Sequence, residues 1–117
     1  MSKAKNASVA VPMHRDGRHT EKMAFCYILF SSSINRFYIG SCQDLNFRYK
    51  NHLDKTYPNS YTAKADDWVI FYSLEVDNIT TAIRIERHVK RMKSRKYILE
   101  LKESPELGLS LMTKYSI

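Results

Sequence analysis

Two short aromatic segments constrain the fold of this 117-residue chain more than any other feature. Residues 24–30 (AFCYILF) and residues 36–41 (RFYIGS) are apolar and rich in β-favouring side chains, and the polar stretch SSSIN separates them. Aromatic runs bounded by turn residues predict strands, and the short connection predicts that the two strands pair as a hairpin. Near the end of the second strand we expect Gly40 to allow a close backbone approach or an unusual φ.

A helix and a third strand are predicted after the hairpin. Asp44 is a suitable N-cap for a helix over residues 45–53. After a loop, residues 68–76 (WVIFYSLEV) form the most apolar run of the chain, which predicts the third strand.

Two more helices are predicted in the C-terminal half. The stretch DNIT opens the first, and Ser94 can cap the second, over residues 95–103. Pro105 and Gly108 are expected to end regular structure. Four residues of the first helix keep helical spacing and are predicted to face the core: Ala82, Ile85, Val89 and Met92.

The predicted order β-β-α-β-α-α is typical of a small α+β domain, with helices flanking a three-stranded antiparallel sheet. A length of 117 residues suggests one domain. We divide the chain into a mobile basic N-terminal arm (residues 1–22), a folded domain (residues 23–103) and a C-terminal extension (residues 104–117).

The chain is basic, which concerns its partners rather than its fold. Nineteen Lys and Arg against 12 Asp and Glu give a net charge of +7, which favours polyanions such as nucleic acid. A dense basic run is most often a solvated helix face, but in so basic a chain it also suits a DNA backbone. Seven basic residues form such a run: Arg84, Arg87, Lys90, Arg91, Lys93, Arg95 and Lys96.

Other patterns argue against membrane and secretory classes. The apolar runs are far shorter than the roughly 18 residues that a membrane-spanning helix needs. Residues 1–22 lack the apolar stretch of a secretory signal. Cys26 and Cys42 lack the spacing of a metal site, so reduced thiols in a cytoplasmic protein are the simplest interpretation.

Several motifs occur together in a characteristic order. CYI (26–28) and YIG (38–40) are followed by a helix that carries Arg and His, then a strand, then a helix that carries Glu. This ordered set, over residues 24–101, resembles the GIY-YIG nuclease superfamily. The chain is similar to the small single-domain predicted endonucleases of bacteria, in which YILFSS, FYIGSC, DDWVIFY and KSRKYI have near equivalents. Cys26 stands where glycine is usual.

The resemblance implies an active site at five matching positions. The two signature tyrosines correspond to Tyr27 and Tyr38, and the following helix supplies Arg48 and His52. Glu86 corresponds to the metal-binding glutamate, with Mg²⁺ or Mn²⁺ as the cofactor and DNA as the partner. A later polar residue, often asparagine in larger members, has no clear counterpart here.

The chemistry of phosphodiester hydrolysis suits these residue types. One carboxylate can hold Mg²⁺, and an arginine fork suits a phosphate oxygen. A histidine titrates near neutrality, and a phenol can act as a general base or orient water. We favour Tyr27 as the base and Tyr38 as the positioning residue. Each residue also has a simpler interpretation: packing tyrosines, a surface arginine and histidine, and a Glu86 paired with Lys90.

The resulting hypothesis is a metal-dependent DNA endonuclease with little sequence specificity and with substrate choice by DNA shape or by a targeting protein. The chain shows no zinc spacing, helix-turn-helix or coiled-coil pattern that would read a base sequence. The alternatives are a non-catalytic nucleic-acid-binding domain on the same scaffold and an adaptor for anionic membranes or proteins.

Overall fold

The computed structural model describes residues 23–54 and 61–116. The predicted N-terminal arm, residues 1–22, lies outside this part of the chain. A three-stranded antiparallel sheet is flanked by helices, which confirms the predicted α+β class. The elements are β1 Ala24–Ser31, β2 Arg36–Cys42, α1 Leu45–Leu53, a short 3₁₀ turn Tyr61–Lys64, β3 Val69–Val76, α2 Ile79–Met92, α3 Arg95–Glu103 and α4 Pro105–Tyr115.

Strand β1 is the centre of the sheet, whose order is β2-β1-β3. It is almost wholly buried because helices or the loop before β3 cover both of its faces. In the β1–β2 hairpin Tyr27 pairs with Gly40, and Leu29 pairs with Tyr38. Successive side chains of a strand point to opposite faces, so Tyr27 and Leu29 face one side while Cys26 and Ile28 face the other.

The sheet therefore separates two cores. The α2-side core comprises Ala24, Cys26, Ile28, Val76, Ala82, Ile85, Val89, Ile98, Leu101 and Leu111. The α1-side core is smaller and more aromatic; it comprises Phe25, Tyr27, Leu29, Cys42, Leu45, Ala65 and Trp68. Cys26 and Cys42 are buried free thiols, and burial raises the pKa of each to about 12. They therefore remain protonated at neutral pH.

Side-chain caps start three of the helices as the sequence predicted or allowed. The Asp44 carboxylate accepts a hydrogen bond from the Phe47 amide at 3.0 Å, and the Asn78 side chain accepts one from Thr81. Ser94 accepts from the Tyr97 amide at 3.0 Å. Each cap satisfies a backbone donor that the first helical turn leaves without a partner.

Two expectations about the helices are wrong. Met92 keeps the helical spacing but is 44% exposed, because α2 ends there and the chain turns at Lys93, whose φ of 47° is left-handed. Pro105 and Gly108 do not end regular structure. Pro105 begins α4, where a missing amide hydrogen costs nothing because the first turn leaves that donor unpaired. Gly108 lies inside α4, and a Cβ at this position would come within 2.6 Å of the Tyr72 hydroxyl, so glycine is needed there.

Among the described residues, no helix combines the length and the apolar character needed to cross a membrane.

Candidate active site

The hydroxyl of Tyr27 is bound inside the α1-side core. It lies 2.8 Å from Nε2 of His52, which reaches it from α1. Tyr27 is 1% exposed and His52 is 5% exposed, so water hardly reaches this pair. The interpretation of His52 as a surface histidine is therefore excluded by its burial.

The other ring nitrogen of His52 is also engaged. Nδ1 lies 2.7 Å from Oγ1 of Thr62, in the 3₁₀ turn, and the Trp68 indole donates to the Thr62 carbonyl at 2.7 Å. A neutral imidazole has one N–H, so if the Tyr27 hydroxyl donates to Nε2, Nδ1–H donates to Thr62. The chain Tyr27–His52–Thr62 then fixes the orientation of the His52 ring.

His52 is neutral at physiological pH. Burial, together with the positive charge of Arg48, lowers its pKa to about 4. The expected titration near neutrality does not apply in this environment. His52 is therefore suited to hold the Tyr27 hydroxyl and not to serve as a cation for phosphate.

Arg48 interacts with both signature tyrosines. Burial lowers the pKa of Arg48, but its interactions with Tyr27 and then Tyr38 together outweigh this effect and raise it. For Tyr27 burial is the dominant effect: it raises the pKa of the phenol more than the contact with Arg48 lowers it. The Tyr27 phenol is thus kept neutral beside a fixed positive charge.

Tyr38 is the more accessible of the two tyrosines. It is half-buried on the edge strand β2, with its ring centroid 6.3 Å from that of Tyr27 and 5.0 Å from that of His52. The ring of Tyr61 stacks on it at 6.1 Å. Tyr38, like the half-buried Arg48, therefore connects the buried pair of Tyr27 and His52 with solvent.

Gly40 is the point at which the backbone comes closest to this cluster. A Cβ on Gly40 would lie 2.5 Å from the Tyr27 hydroxyl oxygen and 2.6 Å from its Cζ. The expected close approach is confirmed. Only glycine leaves room for the Tyr27 ring to cross β2 and bring its hydroxyl to the edge of the sheet.

Glu86 approaches the same strand from the other face. Its Oε1 accepts a hydrogen bond from Ser41 at 2.6 Å, and its Oε2 lies 2.6 Å from Nζ of Lys90. The ion pair that the sequence suggested as the simpler interpretation is thus present. The Glu86 side chain is 18% exposed, whereas that of Lys90 is 52% exposed and free to move towards solvent.

The candidate residues meet around one stretch of β2. Tyr38 faces the α1 side, Gly40 carries no side chain, and Ser41 faces the α2 side and holds Glu86. Tyr27, Tyr38, Arg48 and His52 form one cluster, while Glu86 lies across the edge strand. A phosphate at the outer edge of β2 would be open to groups from both faces.

The donor chemistry fits a hard divalent cation at Glu86. A carboxylate oxygen is the ligand type that Mg²⁺ prefers, and Mg²⁺ commonly takes one or two protein carboxylates together with waters and substrate phosphate. Within residues 23–54 and 61–116, no three His, Cys, Asp or Glu side chains form a closed metal site. Glu86 would therefore be the principal protein ligand after Lys90 moved aside.

The basic run does not form a single surface. Lys90, Lys93 and Arg95 line a groove against β2, together with Arg36, which sequence patterns did not indicate. By helical spacing Arg84 and Arg87 lie on the outward side of α2, as does Arg91, whose guanidinium donates to the Tyr115 hydroxyl at 3.5 Å.

Sequence reasoning also missed three partners of the candidate residues. Thr62 and Tyr61 come from the 3₁₀ turn, and Ser41 follows Gly40. The only available signal was the position of Ser41 three residues after Tyr38; no motif marks Thr62 or Tyr61.

Comparison with protein families gives a match over most of the chain. The family model described as the GIY-YIG catalytic domain matches residues 23–98. Comparisons with curated proteins and with solved structures give no match.

Proposed function

The chain belongs to the GIY-YIG family of nucleases, and from this premise we propose that it is a metal-dependent DNA endonuclease that selects its substrate by DNA shape. The observation that carries the proposal is the arrangement around Gly40. Arg48 and Tyr38 lie on one face of β2 and Glu86 on the other, so a phosphodiester at this edge could be contacted from both sides.

Arg48 is the residue we assign to the phosphate. Its charge is permanent, and its planar fork matches two phosphate oxygens. Its interactions with Tyr27 and Tyr38 place the guanidinium beside both phenols before substrate arrives. A preorganised cation stabilises charge that develops in the transition state without a reorganisation cost at that moment.

Tyr38 is the tyrosine we assign to the attacking water, which reverses the roles favoured from the sequence. Tyr27 is almost completely buried, its hydroxyl is bound to His52, and its phenol pKa is raised. Tyr38 is half-buried and lies beside Arg48, so a water can reach its hydroxyl. Tyr27, His52 and Thr62 then act as positioning residues that hold Arg48 and Tyr38.

Glu86 is the residue we assign to the divalent ion. Ser41 orients the Glu86 carboxylate, and the ion pair with Lys90 neutralises its charge when no metal is bound. A bound Mg²⁺ or Mn²⁺ would supply Lewis-acid stabilisation of phosphate charge and of the leaving oxygen.

The test uses Glu86→Gln, with Glu100→Gln on the exposed surface of α3 as the matched control. We expect wild type and the control to cleave labelled DNA with Mg²⁺ or Mn²⁺, while Glu86→Gln falls to the rate seen with excess chelator. Binding of Mn²⁺, followed by electron paramagnetic resonance, should weaken in Glu86→Gln alone. Equal cleavage with and without chelator would contradict metal dependence. DNA binding without cleavage under any divalent ion would favour the non-catalytic alternative.

A further inference from the structure

A groove lies on the α2 side of the sheet edge, beside Glu86. It has a volume of about 350 Å³ and is bounded by the hairpin turn, strand β2, the end of α2 and the start of α3. Lys90, the ion-pair partner of Glu86, lines it, so this end of the groove lies one side chain away from the candidate metal ligand. It extends from there to Asn35 and Arg36 at the hairpin turn.

The rim of the groove is cationic and its floor is apolar. Arg36, Lys90, Lys93 and Arg95 supply four positive charges, of which Lys90 is paired with Glu86. None of the described residues that line the groove is acidic. The floor consists of Phe37, Ile39, Val89 and Ile98. A surface that attracts only a polyanion would not need this floor, and a surface that binds only an apolar partner would not need this rim.

Arg95 is held rigidly at the turn end of the groove. Its guanidinium donates to the main-chain oxygen and to Oδ1 of Asn35, both at 3.0 Å, and its Cζ lies 5.0 Å from the centroid of the Phe37 ring. The planar guanidinium is thus fixed above an aromatic ring. Such a plane is a surface on which an unstacked nucleobase can lie.

Lys93 adopts a backbone conformation that favours glycine. Its φ of 47° is left-handed, which is unfavourable for a residue with a Cβ. An unfavourable backbone conformation at a residue other than glycine is a reason to look for a function of its side chain. At this position the side chain places a positive charge on the groove rim.

We propose that this groove binds an unpaired DNA strand next to the bond that is cut. In a duplex the base faces are covered by stacking, whereas an unpaired strand can place phosphates on a cationic rim and base faces on an apolar or aromatic floor. The inference rests on the proposed nuclease function and specifies its substrate as DNA with a single-stranded flap, end or gap beside the cleavage site.

The experiment compares double variants that remove the same charge. Arg36→Gln/Lys93→Gln removes two rim charges, and Lys102→Gln/Lys114→Gln removes two exposed charges from α3 and α4. Fluorescence anisotropy in chelator measures the binding of labelled single-stranded, flapped and duplex DNA over a salt series. Wild type should bind the flapped and single-stranded DNA more tightly than the duplex.

The groove double variant should lose affinity for the unpaired strand and lower the slope of log K against log salt by about 1.4, because each lost phosphate contact on a single strand contributes about 0.7. The control should keep the wild-type slope. Ile39→Thr, which keeps a β-branched residue in the strand, should reduce the preference for unpaired DNA and leave the slope unchanged.

Three results would overturn the groove assignment: equal binding of duplex and unpaired DNA by wild type, an equal loss of slope in Arg84→Gln/Arg87→Gln, or equally tight binding of a polyglutamate peptide. The nuclease proposal fails separately. If wild type binds as expected but cuts no DNA with any divalent ion, the groove stands as a binding site and the catalytic proposal falls.

Discussion

At the scale of single residues, burial distinguishes two tyrosines that sequence cannot. Tyr27 and Tyr38 occupy equivalent-looking positions in adjacent strands, yet Tyr27 is 1% exposed and bound to His52 while Tyr38 is half-buried. A buried phenol whose pKa is raised is a hydrogen-bond partner at neutral pH. A tyrosine hydroxyl that solvent can reach beside an arginine can contact the attacking water and, once its own proton has passed to solvent, accept a proton from that water.

The tyrosines should therefore respond differently to phenylalanine. Tyr38→Phe should lower single-turnover cleavage by about 10²–10⁴, the usual loss for a general base, with stability nearly unchanged. Tyr27→Phe should cost about 1–3 kcal/mol of stability, because it leaves Nε2 of His52 buried without its partner, and should lower the rate less. Single-turnover cleavage at saturating enzyme measures the rates, and chemical denaturation measures the stabilities. A larger rate loss in folded Tyr27→Phe would restore Tyr27 as the base.

At the scale of elements, one carboxylate ties the hairpin turn to the segment before β3. Asp67 accepts hydrogen bonds from Ser31 Oγ at 2.5 Å, from Ser32 Oγ at 3.1 Å and from the Ser33 amide and hydroxyl at 2.8 and 2.9 Å. Four donors to one carboxylate favour its charged form, so the pKa of Asp67 is held well below its usual value, first by Ser31 and then by the Ser33 amide. This clamp, the set of four hydrogen bonds from Ser31, Ser32 and Ser33 to Asp67, helps to set the position of β2 and of its residues Tyr38, Gly40 and Ser41.

This clamp should make stability depend on acid pH. Because the folded pKa of Asp67 is depressed, its contribution is fully present above the unfolded pKa of about 3.9 and is lost as pH falls towards the folded value. Asp67→Asn should therefore lower the free energy of unfolding at pH 7 and weaken its decline below about pH 4. Denaturant unfolding between pH 2.5 and 7 measures this, with Glu103→Gln as a surface control. Coincident wild-type and Asp67→Asn profiles would show that these hydrogen bonds to Asp67 contribute no stability, and parallel but offset profiles would show that their contribution does not depend on pH.

At the scale of the whole molecule, α4 is part of the α2-side core. Leu111 is 4% exposed and lies in the same cluster as Ile85, Val89 and Leu101. Near it, His88 of α2 bridges the other helices: its Nε2 lies 2.9 Å from the Tyr97 hydroxyl of α3 and its Nδ1 lies 2.9 Å from the Tyr115 hydroxyl of α4. The helix that presents Glu86 is thus supported on its far side by α3 and α4.

Shortening a buried side chain of α4 should therefore destabilise the domain. Leu111→Ala should cost about 2–5 kcal/mol, as for other buried leucines, whereas Leu109→Ala on the same helix should stay within about 0.5 kcal/mol because Leu109 is 58% exposed. Chemical denaturation of both variants tests this. Equal, small effects would mean that α4 is not part of the cooperative core.

The α+β class, the hairpin, the helix caps at Asp44 and Ser94, and the family could all be predicted from the sequence. Strand and helix periodicity and the spacing of CYI, YIG and the helix residues are local properties of the chain. Gly40 indicated either a close backbone approach or an unusual φ, and the structure shows the close approach, to the Tyr27 ring.

The environments of those residues could not be predicted, because they depend on the packing of distant segments. Thr62 meets His52 and Ser41 meets Glu86 through contacts that no periodic pattern encodes, because side-chain partners depend on how distant segments pack. The same packing sets the burial of Tyr27, the low pKa of His52 and the division of the basic run between a groove and an outer helix face. The prediction that Pro105 ends regular structure was wrong for the same reason. A proline can follow one helix or begin the next, and here it begins α4, whose Leu111 packs into the α2-side core.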